Sequence, residues 1–299
     1  MILSQAEALL KNTLELPTAV FAIVATAVGA LIGSFLNVVI HRVPREESIV
    51  FPNSRCPSCG TPIKPYDNIP VVSYLILRGR CRSCRSHISA RYPAVEAMTA
   101  LLFLAVFLYR GFTLALPFDL IFVAAMATLV FIDAEHMILP NVITYPGLVF
   151  ALTARVAIPY LAGPGYLDDL PGMMQTLPGN WPVWATSLAG AALGALVGGG
   201  SLWLAGWLWE RLRGVEAMGL GDVKMMFMVG AYLGWRLAVL SIFLGVLSGS
   251  IIGVAIMIKR RERNLQMLLP FGIFLGLGSI ISLLVGTRLI NWYLSLFRV

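Results

Sequence analysis

Apolar stretches long enough to cross the hydrocarbon core of a bilayer recur along this 299-residue chain, and they dictate what it can fold into. A crossing takes roughly 20 helical residues. Eight stretches qualify, over about 20–40, 94–109, 117–134, 142–162, 184–209, 217–235, 237–258 and 266–287. In hydrocarbon every backbone N–H and C=O must be paired within the protein, so such stretches become helices. With 58% apolar residues, 12% charged residues and a mean hydropathy of +0.82, a water-soluble globular domain is excluded. The expected fold is an all-α polytopic membrane protein of about eight transmembrane helices. The first stretch, VFAIVATAVGALIGSFLNVVI, is a full span followed by basic residues rather than by a small-residue cleavage site, so it is read as retained. The chain then divides into a first transmembrane helix (1–40), a loop module (41–93) and a larger membrane domain (94–299).

Cations set the orientation. Arg42, Arg45, Arg55, Lys64, Arg78, Arg80, Arg82, Arg85 and Arg91 crowd the loop between the first two stretches, against Glu46, Glu47 and Asp67. The positive-inside rule makes that loop cytoplasmic. Arg211, Arg213, Lys224, Lys259, Arg260, Arg261 and Arg263 fall on the same side if all eight stretches cross, which places both termini outside. The opposite loop, 163–183, carries Asp168 and Asp169 and no cation. The net charge of +7 therefore needs no nucleic-acid partner and suits anionic lipids of the inner leaflet.

All four cysteines lie in the basic loop, as CPSCG (Cys56, Cys59) and CRSCR (Cys81, Cys84). Two C-x2-C knuckles at this separation resemble a four-thiolate zinc site. Four thiolates close a tetrahedral shell and leave no position for a reactive water, so the expected metal is structural. The alternative, two disulfides, is disfavoured in a reducing compartment. A module of this size has little core of its own, and a metal supplies what burial cannot.

Two aspartates stand where apolar helices meet the basic side. LVFIDAEHMILPN places Asp133 at the end of the third stretch, and AMGLGDVKMM places Asp222 at the start of the sixth. Those stretches run in opposite directions, so both carboxylates arrive at one membrane depth and can meet. Two such groups in a low-dielectric site share a proton, one acting as base toward water and the other as acid toward a carbonyl, which is the chemistry of aspartic peptide hydrolysis. Each also has a plainer reading, Asp222 as a helix cap and Asp133 as an interfacial residue. Gly219 and Gly221 permit close packing or substrate access, and Lys224 reads as a snorkelling anchor.

Taken in order, GSFLNVVIHRVP, the two knuckles with NIPVVSYLILRGRCRSC and ISARYPAVE, IDAEHMILPN, EAMGLGDVKMM and PFGIFLGLG make the chain resemble the bacterial type IV prepilin peptidases of the GxGD aspartic protease class. The resemblance implies catalytic aspartates at Asp133 and Asp222 and zinc ligands at the four cysteines. It implies type IV prepilin and pseudopilin substrates, cut between a basic leader and an apolar mature segment at the cytoplasmic face of the inner membrane. It also implies N-methylation of the new N-terminus from S-adenosylmethionine. Many members have Asp where Glu135 and Asn141 stand here, and the outer segment 159–183 is longer than the family's usual one.

No glycine fingerprint between a strand and a helix marks a Rossmann-type methyl-donor site. Glu96 and Glu216 can hold the substrate amine or can be ordinary interfacial charges. A zinc metalloprotease is excluded, because His41, His87 and His136 lack H-E-x-x-H spacing. A proton-coupled transporter would gather its ionisable groups near the midplane of related halves, and a noncatalytic assembly scaffold built on the cysteine module is the other alternative.

Overall fold

A computed structural model describes residues 18–176, 181–214, 218–260 and 270–297. Ten helices are labelled here: α1 (Thr18–Arg42), α2 (Val72–Ile76), α3 (Arg91–Arg110), α4 (Leu116–His136), α5 (Asn141–Ala162), α6 (Leu170–Thr176), α7 (Val183–Arg213), α8 (Leu220–Leu233), α9 (Trp235–Arg260) and α10 (Phe271–Ser295). Helices α7 and α10 each contain a five-residue π-helical stretch, Leu196–Gly200 and Ser282–Gly286. Among the described residues, seven helices are long and apolar enough to cross a membrane: α1, α3, α4, α5, α7, α9 and α10.

The expected sixth span differs. Its helix, α8, has only 14 residues, about 21 Å at 1.5 Å per residue. It starts after Gly219, in an extended conformation, and stops at Gly234, whose φ of 85° few side chains accept. The short length suits its surroundings, because Met225, Met226, Val229 and Ala231 are fully buried among neighbouring helices and not facing lipid.

The chain divides into two compact units. The first unit holds α1, α3, the cysteine loop and Asp119–Thr128 of α4. In it, Gly29 and Gly33 form a G-x-x-x-G step on α1. A Cβ at Gly29 would stand 2.8 Å from Phe103 Cβ, and one at Gly33 would stand 2.7 Å from Glu96 Cα, so the two helices touch backbone to backbone. Four residues on, Asn37 continues the stripe and donates to the Tyr92 carbonyl at 3.0 Å. At the far end, Arg110 pairs with the buried Asp119 at 3.2 Å.

The second unit holds Thr113–Phe118, the end of α4 from Leu129 and everything after it. Helix α8 is its centre, packed against α5, α7, α9 and α10. The small-residue run of α7 makes this possible, since a Cβ on Gly194 or on Gly230 would overlap the other's carbonyl. Asp168 and Asp169, in a loop without a cation of its own, both pair with arginines from elsewhere. Arg155 of α5, fully buried, donates to Asp169 through both terminal nitrogens at 2.8 and 2.6 Å. Arg236 lies 3.6 Å from Asp168. Ser187 of α7 donates to the Arg155 carbonyl at 2.6 Å, and side chains at Gly190 and Gly234 would collide with the pair. The segment around Asp168 and Asp169 is thus locked onto α5, α7 and the α8–α9 corner.

Breaking this pair from one side strands a charge. Asp169→Ala is expected to destabilise the protein by about 3–5 kcal/mol, whereas Arg155→Met with Asp169→Leu recovers most of that loss. Thermal unfolding in detergent checks both, and a single variant as stable as the double one would contradict the account.

Candidate active site

Asp133 lies in the last turn of α4. Met137, left-handed at φ 53°, returns its N–H to the Asp133 carbonyl at 2.9 Å and ends the helix. The side chain of Asp133 is buried, 5% exposed. Its Oδ2 accepts the backbone N–H of Ile273 at 3.0 Å, and the Gly272 amide faces the same carboxylate. This contact has a clear cause. Helix α10 is preceded by Pro270, which offers no side-chain acceptor, so its first amides lack a cap of their own. Asp133 supplies one from another helix, aided by the positive end of the helix dipole. Gly272 is required for the approach, since a Cβ there would stand 2.8 Å from Asp133 Oδ2.

Asp222 lies in the first turn of α8, half-buried, with no hydrogen-bond partner for its carboxylate among the described residues. It is close enough to Asp133 for the charge of one to act on the other. Leu139 carries the two helices together. A Cβ at Gly221 would stand 3.0 Å from Leu139 Cβ, and one at Gly272 would stand 3.1 Å from Leu139 Cδ1. Lys224 is not a free anchor, because its ammonium donates to Asn141 Oδ1 at 2.9 Å and sits 5.3 Å from the Tyr145 ring centre. The first turns of α8 and α5 are therefore tied beside the two aspartates.

Gly219 and Gly221 separate in role. Gly221 packs against Leu139, whereas among the described residues a Cβ at Gly219 meets nothing closer than 4.0 Å. Glu96 belongs to the other unit, where its Oε2 accepts the Val71 N–H at 2.7 Å and its backbone touches Gly33. Glu216 lies outside the described residues. Gly272, the Ile273 amide and Leu139 are site components that the sequence reading did not single out. The available signal was PFG itself, a proline opening an apolar helix with no capping side chain, followed at once by a glycine.

The four cysteines converge. Their sulfurs all lie within 4.8 Å of one another, and Cys56 Sγ stands 3.9 Å from Cys84 Sγ. A tetrahedron with 2.3 Å zinc–sulfur arms has edges of about 3.8 Å. Both knuckles fold alike: Gly60 N–H returns to the Cys56 carbonyl at 2.9 Å, and Arg85 N–H returns to Cys81 at 3.0 Å. Gly60 and Arg85 are both left-handed, at φ 70° and 61°. The amides of Cys59 and Ser58 point at the Cys56 sulfur and, against the opposing effect of burial, hold its thiol down to about 6, in favour of the thiolate a metal needs. All four are free cysteines. The geometry and the donor set fit a tetrahedral thiolate-bound metal.

Comparison with known proteins identifies the family. The model of the Bacterial Peptidase A24 N-terminal domain matches residues 27–110, and that of the Type IV leader peptidase family matches residues 120–254. A prepilin leader peptidase/N-methyltransferase of Pseudomonas aeruginosa is 36% identical over 298 residues, covering 92% of this chain and 94% of its own. The protein of the same description from Aeromonas hydrophila is 35% identical over 291 residues, covering 89% and 91%. One from Myxococcus xanthus is 37% identical over 238 residues, covering 80% and 64%. No solved structure matches the chain. Similarity of this extent, spanning both matched regions and nearly the whole length of several relatives, means that the chain belongs to the type IV leader peptidase family.

Proposed function

We propose that this protein is a membrane aspartic endopeptidase that removes the basic leader from prepilins and pseudopilins and then N-methylates the new N-terminus. The supporting observation is the approach of Asp133 and Asp222 around Leu139, in a family whose relatives carry the name prepilin leader peptidase/N-methyltransferase. A water lies between the two carboxylates when substrate binds. One carboxylate takes its proton as the oxygen attacks the scissile carbonyl carbon. The other, protonated, gives its proton to the carbonyl oxygen. As the tetrahedral intermediate collapses, the first carboxyl passes its proton to the departing nitrogen and the second takes one back from a hydroxyl, releasing the leader with a new carboxyl end and the mature segment with a free amine. On this proposal the chemistry takes place at the cytoplasmic face, where a basic leader meets an apolar segment, and the cation-rich loop supports that orientation by the positive-inside rule.

Cys56, Cys59, Cys81 and Cys84 would hold a zinc ion, whose closed shell contributes folding energy to the loop and no hydrolytic water. S-adenosylmethionine is the methyl donor that the family resemblance implies. The described residues contain no strand beyond two isolated bridges, so a Rossmann-type cradle for it has no place among them. Glu96, bound to the Val71 amide, has its carboxylate already engaged and is a weaker candidate for gripping the substrate amine.

Asp133→Asn and Asp222→Asn are each expected to lower leader cleavage by ~10³-fold or more, with the double variant no worse than either single one. Purified protein incubated with a prepilin, with and without S-adenosylmethionine, and read by mass spectrometry separates cleavage from methylation. Near-normal cleavage by either variant removes that aspartate from the mechanism.

Gly272→Val should displace the Asp133 carboxylate and cost cleavage on the order of 10²-fold, as misplacement by about 1 Å does. Gly219→Ala, with open space around it, should leave cleavage close to normal. Equal losses in the two would refute the packing account.

The cysteine loop should carry one zinc per chain by elemental analysis of the purified protein. Stripping it should lower the unfolding temperature, and a metal-free preparation with unchanged stability and activity would sink the structural role.

A further inference from the structure

The cysteine loop does not simply project from the membrane. Glu96 lies against Gly33, nine residues inside the basic end of α1, a depth of about 13 Å along the helix. Glu96 also receives the Val71 N–H at 2.7 Å. That hydrogen bond pins the start of α2 at the level of the apolar parts of α1 and α3.

The segment is built for a place without water. The amides of Ile69, Val71, Ser73, Leu75, Leu77, Arg78, Gly79 and Arg80 all have protein acceptors. Ser73 accepts the Ile69 N–H and donates to the Tyr66 carbonyl. Non-helical backbone at membrane depth is tolerated only when it is paired in this way. Yet its side chains are bare: Leu75 is 67% exposed and Ile76 70%, with Ile69 at 49% and Val72 at 47%. Beside them, Arg78, Arg80, Arg82 and Arg85 line one open cavity with Ile76 and Leu77. Only Arg82 has a carboxylate partner among the described residues, Asp67 at 2.6 Å.

We propose that Ile69–Leu77 is embedded in the cytoplasmic leaflet, with Ile69, Val72, Leu75 and Ile76 covered by acyl chains, and that Arg78, Arg80 and Arg85 hold the phosphate of an anionic phospholipid. Apolar side chains at acyl depth next to unpaired arginines match the two halves of such a lipid. The arginine cluster repels a basic leader, so the cavity is a lipid site and not a dock for the leader. This assignment does not depend on the peptidase reading.

The test uses the full-length protein in nanodiscs of phosphatidylcholine with or without phosphatidylglycerol. p-Benzoylphenylalanine replaces Leu75 in one sample, Ile76 in a second, and the lipid-facing Leu31 of α1 as a control. Irradiation should add a phospholipid mass to the peptide carrying residue 75 or 76, as it does at residue 31. Native mass spectrometry should show phosphatidylglycerol retained over phosphatidylcholine, with the preference falling roughly fivefold for each of Arg78→Gln, Arg80→Gln and Arg85→Gln. Adducts at 31 but none at 75 and 76 overturn the embedding. Crosslinks from 75 or 76 to added prepilin in place of lipid make the face a substrate dock and overturn it equally. Retention of the anionic lipid unchanged in the triple variant overturns the arginine site.

Discussion

In an apolar medium a helix that begins without a cap leaves amides that water cannot reach, and this chain meets that constraint with carboxylates borrowed from other helices. Pro270 gives α10 no side-chain acceptor, and Asp133 provides one across 140 residues of sequence. Val71 opens α2 in an equally uncapped state, and Glu96 answers it. In both cases an acidic side chain that hydropathy alone would count as a cost is fixed in space by backbone. A carboxylate held by amides cannot swing away, so Asp133 gains its precision from the same contact that stabilises the start of α10.

The membrane architecture was legible because it rests on composition. Long apolar runs, the basic loop and the paired knuckles are local features, and the structure has seven long spans and converging cysteines. The helix of the sixth stretch is shorter than its hydropathy suggests, because hydropathy does not distinguish burial in lipid from burial in protein, and much of α8 is buried in protein. Lys224 was taken for an anchor because its partner, Asn141, lies 83 residues away. The partners of Asp168 and Asp169 were hidden for the same reason, since Arg155 sits inside an apolar stretch and Arg236 beyond the next two. The aspartates themselves were visible; the leucine and glycine between them were not, because close packing leaves no periodic trace in sequence.

Zinc, if bound as the sulfur geometry fits, and the Arg155–Asp169 pair represent two solutions to one problem. Each ties down a connecting segment between long helices. In the basic loop the closure is by four short side chains within 4.8 Å, and in the segment around Asp169 it is by a bidentate guanidinium shielded from water. The second solution is costly to break from one side, because the low dielectric that strengthens the pair also magnifies the penalty of a lone charge.

The two aspartates are held by unlike means, and this bears on how a peptide bond can come between them. Asp133 is fixed to backbone amides, and its helix ends four residues later in a left-handed cap. Asp222 is positioned only through its helix: by Gly221 against Leu139 on one side and by Lys224 bound to Asn141 on the other. Both of those supports come from the short turn joining α4 to α5 and from the first residue of α5. The segment Leu139–Asn141 therefore sets the separation of the carboxylates, although it carries neither of them. Asp133 is thus held by backbone from another helix, whereas the placement of Asp222 depends on the packing of Gly221 against Leu139 and on the Lys224–Asn141 contact.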